Sequence, residues 1–325
     1  MPRLPQLAGA ATAVLALGLV AAAPAAGQEP PGDDAHVVAH FDPTLGQTPD
    51  NIALDRDGSA DLTLAFARQV AHVDADGTTR ILATLPDVPD PSTPLVHSAV
   101  VTGIARAHDG TLYVGYATGT RKTGIWRLVP GEEPEQITEL PPTGFPNGLV
   151  LDEQRGVLYA TDSVLGTVWR LPRQGGPATA WATGPALDPL PDPARGFGVN
   201  GVKIRRDTVW VSNSDRGTLL RIPVRADGSA GPVETRATGL AGIDDFAFLG
   251  PGTSVLATAD TANSLELVGP DGATTTVLSA RDGLSNPTAV AVSGRTVYVA
   301  NAAYYTQRDP NLLLAHLRST PREAG

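Results

Sequence analysis

Short runs of alternating apolar and polar residues, bounded by Gly, Pro, Asp and Asn, recur along most of the chain, which is the pattern of strands and not of helices. Six of these runs open alike: PDNIALD (49–55), VTGIARA (101–107), FPNGLVLD (145–152), GVNGVKIR (198–205), GIDDFAFL (242–249) and NPTAVAVS (286–293). Aligned on Asn51, Gly103, Gly148, Gly201, Asp245 and Ala289, they follow one another at intervals of 52, 45, 53, 44 and 44 residues. A second run trails each: ADLTLAF, TLYVGYA, VLYATDS, TVWVSNS, SVLATAD and TVYVANA. Third runs (QVAHVD, GIWRLV, TVWRLP, TLLRIP, SLELVG) and fourth runs (TRILATL, EQITEL, ATAWAT, ETRATGL, TTVLSA) complete the units. Four strands in each unit of about 40 to 55 residues predict an all-β fold, a six-bladed β-propeller with four-stranded blades.

The sixth unit ends early. Its third run, NLLLAHL, lies close to the C-terminus, and no fourth follows. HVVAHFD (36–42) stands ahead of the first unit and has the character of the missing run. It is expected to pair in the last blade and close the ring, so that no sheet edge is left between first and last blades. One propeller domain over 36–317 follows, with 318–325 as a tail.

The first strand of each blade lines the central channel, and its opening residues reach one rim. Those slots hold Asp50, Thr102, Asn147, Asn200, Asp244 and Thr288, so two carboxylates and two amides converge from four blades. Two carboxylates without a counter-charge repel and shift each other's titration. A hard divalent cation removes the difficulty: Ca²⁺ takes about six to eight oxygens and accepts an Asn carbonyl as readily as a carboxylate. Taken singly, each residue also fits turn chemistry, since Asn before Gly is a common turn pair. Their shared register is what points to an ion.

These residues bring a family into view. The chain resembles the six-bladed propellers of the SMP-30/gluconolactonase group, which is related to diisopropylfluorophosphatase, paraoxonases and strictosidine synthase-like proteins. The likeness runs over about residues 36–317 and is sharpest in PNGLVLD…LYATDS and VNGVKIR…VWVSNSDRGTLLRI. It implies a Ca²⁺ ion, or another divalent metal ion, at the channel mouth, with Asp50, Asn147, Asn200 and Asp244 as its ligands. The first acid of that family is typically Glu. The shorter Asp50 must stand closer to the ion or bind through water.

An ion with open positions can polarise a lactone, ester or phosphoester oxygen and hold the resulting oxyanion. Asp244 is a candidate base or nucleophile, while Asp245 points to the opposite strand face. Loops between second and third strands reach the same rim with Asp162, Ser163, Asn213, Asp215, Asp260, Asn263, Asn301, Tyr304 and Tyr305; Asp215 ranks first among them as a catalytic candidate. His97, in a Pro-rich connection before the second unit, is a further catalytic candidate beside a surface reading. The connections 87–94 and 184–198 are expected to wall a substrate pocket. Trp126, Trp169, Trp210 and Tyr298 recur in the strands and read as blade packing.

Composition narrows the partners. A net charge of −10 without any basic run argues against nucleic acid or an anionic membrane. The chain has no Cys, which removes disulfides, thiolate metal sites and Cys nucleophiles. Arg3, the apolar run 8–23 and the small residues after it read as an export signal over 1–27, followed by a disordered segment over 28–35. The expected protein is secreted, free of the membrane once the signal is cleaved, and acts on a small-molecule substrate; nothing bears on its oligomeric state. Three functions stand open: a metal-dependent lactonase or esterase-type hydrolase, a non-catalytic binding propeller with a structural ion, and a strictosidine synthase-like condensing or cyclising enzyme.

Overall fold

The protein is seen here as a computed structural model that describes residues 32–191 and 196–317. The predicted signal over 1–27, residues 28–31 and the tail over 318–325 lie outside the described residues. Strands fall where the alternation places them. Blade I is β2 (Pro49–Leu54), β3 (Ala60–Leu64), β4 (Gln69–Val73) and β5 (Thr79–Thr84). Blade II is β6 (Val100–Arg106), β7 (Leu112–Ala117), β8 (Gly124–Leu128) and β9 (Glu135–Glu139). Blade III is β10 (Pro146–Asp152), β11 (Val157–Asp162), β12 (Thr167–Pro172) and β13 (Thr179–Thr183). Blade IV is β14 (Val199–Ile204), β15 (Thr208–Asn213), β16 (Thr218–Pro223) and β17 (Glu234–Ala237). Blade V is β18 (Ile243–Phe248), β19 (Val255–Ala259), β20 (Ser264–Val268) and β21 (Thr274–Ser279).

Blade VI takes β22 (Pro287–Ser293), β23 (Thr296–Asn301) and β24 (Asn311–Leu317) from the C-terminal end, and β1 (Gly32–His40) from the other, paired antiparallel with β24. The ring closes as the pattern predicts. One boundary differs: β1 starts at Gly32, so residues 32–35, expected to be disordered, are strand. The reason is register. Gly32 pairs with Leu317 and Asp33 with His316, and ladder hydrogen bonds need no apolar side chain to continue.

Apolar faces of adjacent blades pack on each other. At the seam between blades VI and I, Ile52, Leu62 and Leu64 meet Ala289, Tyr298, Ala300 and Leu312. Second strands are covered on both faces, and β3, β7 and β11 are buried throughout, which explains their nearly unbroken apolar or small composition. Among the described residues no helix is long and apolar enough to cross a membrane.

Hydroxyls join blade to blade near the axis. Thr161 Oγ1 donates to Asn200 O, Ser212 Oγ to Asp244 O at 2.5 Å, and Thr258 Oγ1 to Thr288 O at 3.1 Å. Glycine is required where first strands crowd one another. A Cβ on Gly103 would lie 2.2 Å from Asn147 O, and one on Gly148 2.5 Å from Asn200 O. The Asn-Gly pairs that look like turns are therefore strand positions, with the glycine chosen for close approach.

Candidate metal site

In each of the six first strands the ladder to the second strand breaks at the slot residue. The irregularities lie between Pro49 and Asn51, Val101 and Ile104, Pro146 and Leu149, Val199 and Val202, Ile243 and Phe246, and Pro287 and Ala289. Such a bulge re-aims one side chain away from the sheet's alternation. Here it does so for Asp50, Thr102, Asn147, Asn200, Asp244 and Thr288 in turn.

Two of the six are locked by one device. Asn147 Nδ2 donates to Ser163 Oγ at 3.0 Å, and Ser163 Oγ donates to Val199 O at 2.8 Å. Asn200 Nδ2 donates to Ser214 Oγ at 2.9 Å, and Ser214 Oγ to Ile243 O at 2.6 Å. A backbone carbonyl only accepts, so each hydroxyl spends its proton there and must accept from the amide. This fixes which end of each amide is nitrogen. Both residues are more than nine-tenths buried, and among the described residues no hydrogen bond to Asn147 Oδ1 is seen. Thr102 and Thr288 are built otherwise: their hydroxyls donate to Pro146 O at 2.8 Å and Pro49 O at 2.9 Å, tying blades together.

The acids face different surroundings. Asp50 Oδ1 accepts from the Tyr304 hydroxyl at 2.7 Å. Burial pushes Asp50 up to about 6, against the pull of that hydrogen bond. Asp244 lies well above the usual carboxylate range, through burial and then through the charges of Asp260 and Asp50. Burial and the charge of Asp50 raise Asp260 to about 7. Tyr304 is raised far above an ordinary phenol by burial and by Asp50, and Tyr305 is raised by burial, Asp260 and Asp244. Asp245 turns the other way, as strand alternation predicts, and its carboxylate takes Lys203 Nζ at 2.5 and 2.6 Å, although its charge also helps to raise Asp50 and Asp244.

The donors fit a hard cation. Every one is an oxygen, from carboxylates and side-chain amides, which suits Ca²⁺, Mg²⁺ or Mn²⁺ over softer metals. Among the described residues no group of three or more His, Cys, Asp and Glu side chains is disposed to hold an ion by itself, so the amide oxygens are needed to complete the set.

Other predicted rim residues are occupied with loop structure. Asp215 Oδ2 accepts from Leu190 N at 2.9 Å. His97 is exposed, in a turn with φ 52°. Asp162 accepts from the backbone N–H groups of Phe145, Val164 and Leu165, Asn213 donates to Ala186 O and Asp188 O, and Asn301 accepts from Ser285 N. Asn263 bridges Leu284 O and Asn286 N. Ser214 escaped the sequence reading, although the echo of TDS in SNS marks it.

Beside the acids lies an apolar wall. Ala65, Val100, Ala117 and Phe145 form a cluster flanked by Val96, Val164, Phe197 and Tyr304. Phe145 meets Phe197 edge to face with centroids 5.7 Å apart, and Phe66 meets Tyr304 at 6.0 Å. Apart from Ala117, at the end of β7, they come from first-strand entrances or from loops between second and third strands. A cleft of about 530 Å³ lies elsewhere, lined among others by Arg80, Ile81 and Glu132. Its charged floor is already paired: Asp61 binds His72 and Arg106, and Arg106 also binds Asp55.

No family model and no curated protein matches the sequence. Solved structures do. A gluconolactonase from Xanthomonas campestris aligns with a TM-score of 0.60 at 16% identity, covering 84% of this chain and 88% of that one. A luciferin-regenerating enzyme aligns with a TM-score of 0.61 at 11% identity, covering 86% and 94%. Virginiamycin B lyase from Staphylococcus aureus aligns with a TM-score of 0.55 at 16% identity, covering 87% and 100%. At such identities the likeness is one of architecture, a propeller fold, which in this chain has six blades.

Proposed function

We propose that this protein is an exported, divalent-cation-dependent hydrolase of the SMP-30/gluconolactonase type, with Ca²⁺ as its ion and a lactone or related ester as its substrate. The observation that carries the reading is the paired Asn–Ser lock, in which each amide nitrogen donates to a serine, that of Asn200 also serving Asp244, while no hydrogen bond to the carbonyl end of Asn147 is seen among the described residues. Asp50, Asn147, Asn200 and Asp244 would hold the ion. When bound, the ion supplies a Lewis acid for the carbonyl oxygen of the substrate.

The residues of the chain divide the remaining work. Asp244 stands among other carboxylates, where a proton is readily held, and is the base in this reading. Tyr304 orients Asp50 through its 2.7 Å hydrogen bond. Phe66, Phe145, Phe197 and Val164 would face the flank of the substrate, which suits an uncharged molecule with an apolar arm. Among the proteins of like architecture, one from X. campestris is named a gluconolactonase and one from S. aureus a virginiamycin B lyase, which supports an enzyme and, by the first name, a lactone as substrate.

A second reading is a binding propeller in which the ion is structural. The commitment of Asp215 to Leu190 N favours it, since this removes one candidate base from the mouth. The two readings part on one assay. Protein stripped with chelator and then reloaded with Ca²⁺ is offered neutral lactones and aryl esters, beside Asn147→Ala. Hydrolysis that disappears with chelator, returns with Ca²⁺ and is lost in the variant is the expected result. Protein that binds the ion but hydrolyses none of the panel would leave the binding reading.

A further inference from the structure

Register places three residues at the same point of blades III, IV and V. Pro146 pairs with Asp162, Val199 with Asn213 and Ile243 with Ala259, so the residues one step further on are Ser163, Ser214 and Asp260. In the first two blades that position holds the serine that receives the amide of the slot residue. In blade V the slot residue is Asp244, and its companion is a second carboxylate. The corresponding residues of blades I, II and VI are Ala65, Ala117 and Ala302, which have nothing to offer a slot side chain.

The backbone of Asp260 is fully engaged. Its N–H donates to Gly242 O at 3.0 Å, and its carbonyl accepts from Asn263 N at 3.1 Å and Asn286 Nδ2 at 3.3 Å. Its side chain is not: Oδ1 is buried and lacks any hydrogen-bond partner. A buried carboxylate oxygen with no donor is costly to keep. A serine at this position would bury no second charge, though it would have to donate to Asp244 where Ser163 and Ser214 accept from Asn147 and Asn200. The unpaired oxygen of Asp260 and the unpaired Oδ1 of Asn147 thus stand at one channel mouth, on residues that are otherwise firmly held.

We infer that Asp260 is a fifth member of the cation site, a third carboxylate beside Asp244 that acts on the ion through water, since the three carboxylates do not by themselves converge on one point among the described residues. The inference rests on the proposed cation site. It also bears on Asp50, whose short arm and hydrogen bond to Tyr304 leave it less to give than a longer acid would have; Asp260 adds negative charge from blade V, two blades round the ring from Asp50. Affinity at oxygen-donor sites follows the number of charged ligands.

The test is calorimetric titration with Ca²⁺ together with thermal unfolding in chelator, on the wild type, Asp260→Asn and Asp260→Ser. The expected result has two signs. Both variants melt higher than the wild type without the ion, because a like charge has gone, and both bind Ca²⁺ about tenfold or more weakly. A residue that only braces its loop would lower the melting temperature in chelator, which would overturn the inference. Wild-type affinity in both variants would overturn it too, with the four-residue site left standing. A wild type that binds neither Ca²⁺, Mg²⁺ nor Mn²⁺ would overturn the site and this inference together.

Discussion

Ser163 stands between Asn147 and the neighbouring blade, receiving the amide at 3.0 Å and passing its own proton to Val199 O at 2.8 Å. One hydroxyl thus sets both the orientation of a slot side chain and the spacing of two blades. Ser163→Ala frees the amide to rotate and leaves a buried carbonyl without its donor. The variant should lose about 1 to 2 kcal/mol of stability in urea unfolding and bind Ca²⁺ more weakly. Ser163→Thr, which keeps the hydroxyl, should retain most of the affinity.

Gly148 is fixed by space alone. A methyl there meets Asn200 O at 2.5 Å, backbone that cannot step aside without parting blades III and IV. Gly148→Ala is expected to cost at least about 2 kcal/mol in chemical denaturation, with a weakened ion site as a secondary effect.

Lys203 tests the far side of the same strand pair. Asp245 is 1% exposed and held by Lys203 Nζ, so Lys203→Met strands a buried charge. A loss of about 3 kcal/mol or more is expected. The loss should shrink in the double variant Lys203→Met with Asp245→Asn, measured as a double-mutant cycle.

The ion-free protein should depend on pH in a defined sense. The groups that face one another at the mouth are Asp50, Asp244, Asp260, Tyr304 and Tyr305. Asp50 near 6 and Asp260 near 7 in the folded state both lie above the 3.8 of a free carboxyl. The folded protein therefore holds protons that the unfolded chain releases. Their contribution to stability is complete below about pH 4 and is lost as pH rises through about 6 to 7. In chelator, Asp260→Asn should melt above the wild type by a few degrees at about pH 8, and by less at about pH 5. A gap independent of pH would refute the coupling.

How much of this was legible in the chain depends on the kind of information. Alternation and spacing reveal the blades because a strand covered by neighbours must repeat its apolar pattern, and they reveal closure because an unpaired third strand demands a partner. The slots are legible for the same reason. What escapes is the use of polar side chains whose partners lie far along the chain. Asp215 and Asp162 sit in similar rim sequences to Asp260, yet two of them bind backbone N–H groups and the third has no partner for Oδ1. Only register separates them. The start of β1 also escaped, because backbone pairing to β24 extends beyond the apolar residues that announce it.

The seam in blade VI sets the order of events when the chain folds. His40 and Asp309 touch although 269 positions apart in sequence, and β1 has no sheet to join until β24 exists. Blades I to V can each zip from neighbouring hairpins, but closing the circle requires β1 and β24 to meet. A ribosome that stalls before β24 would release a horseshoe with two raw sheet edges, a species prone to self-association. The same clasp sets β1 and β24 side by side, so a molecule in which these two strands were linked and which was reopened between blades should still find its way to the ring.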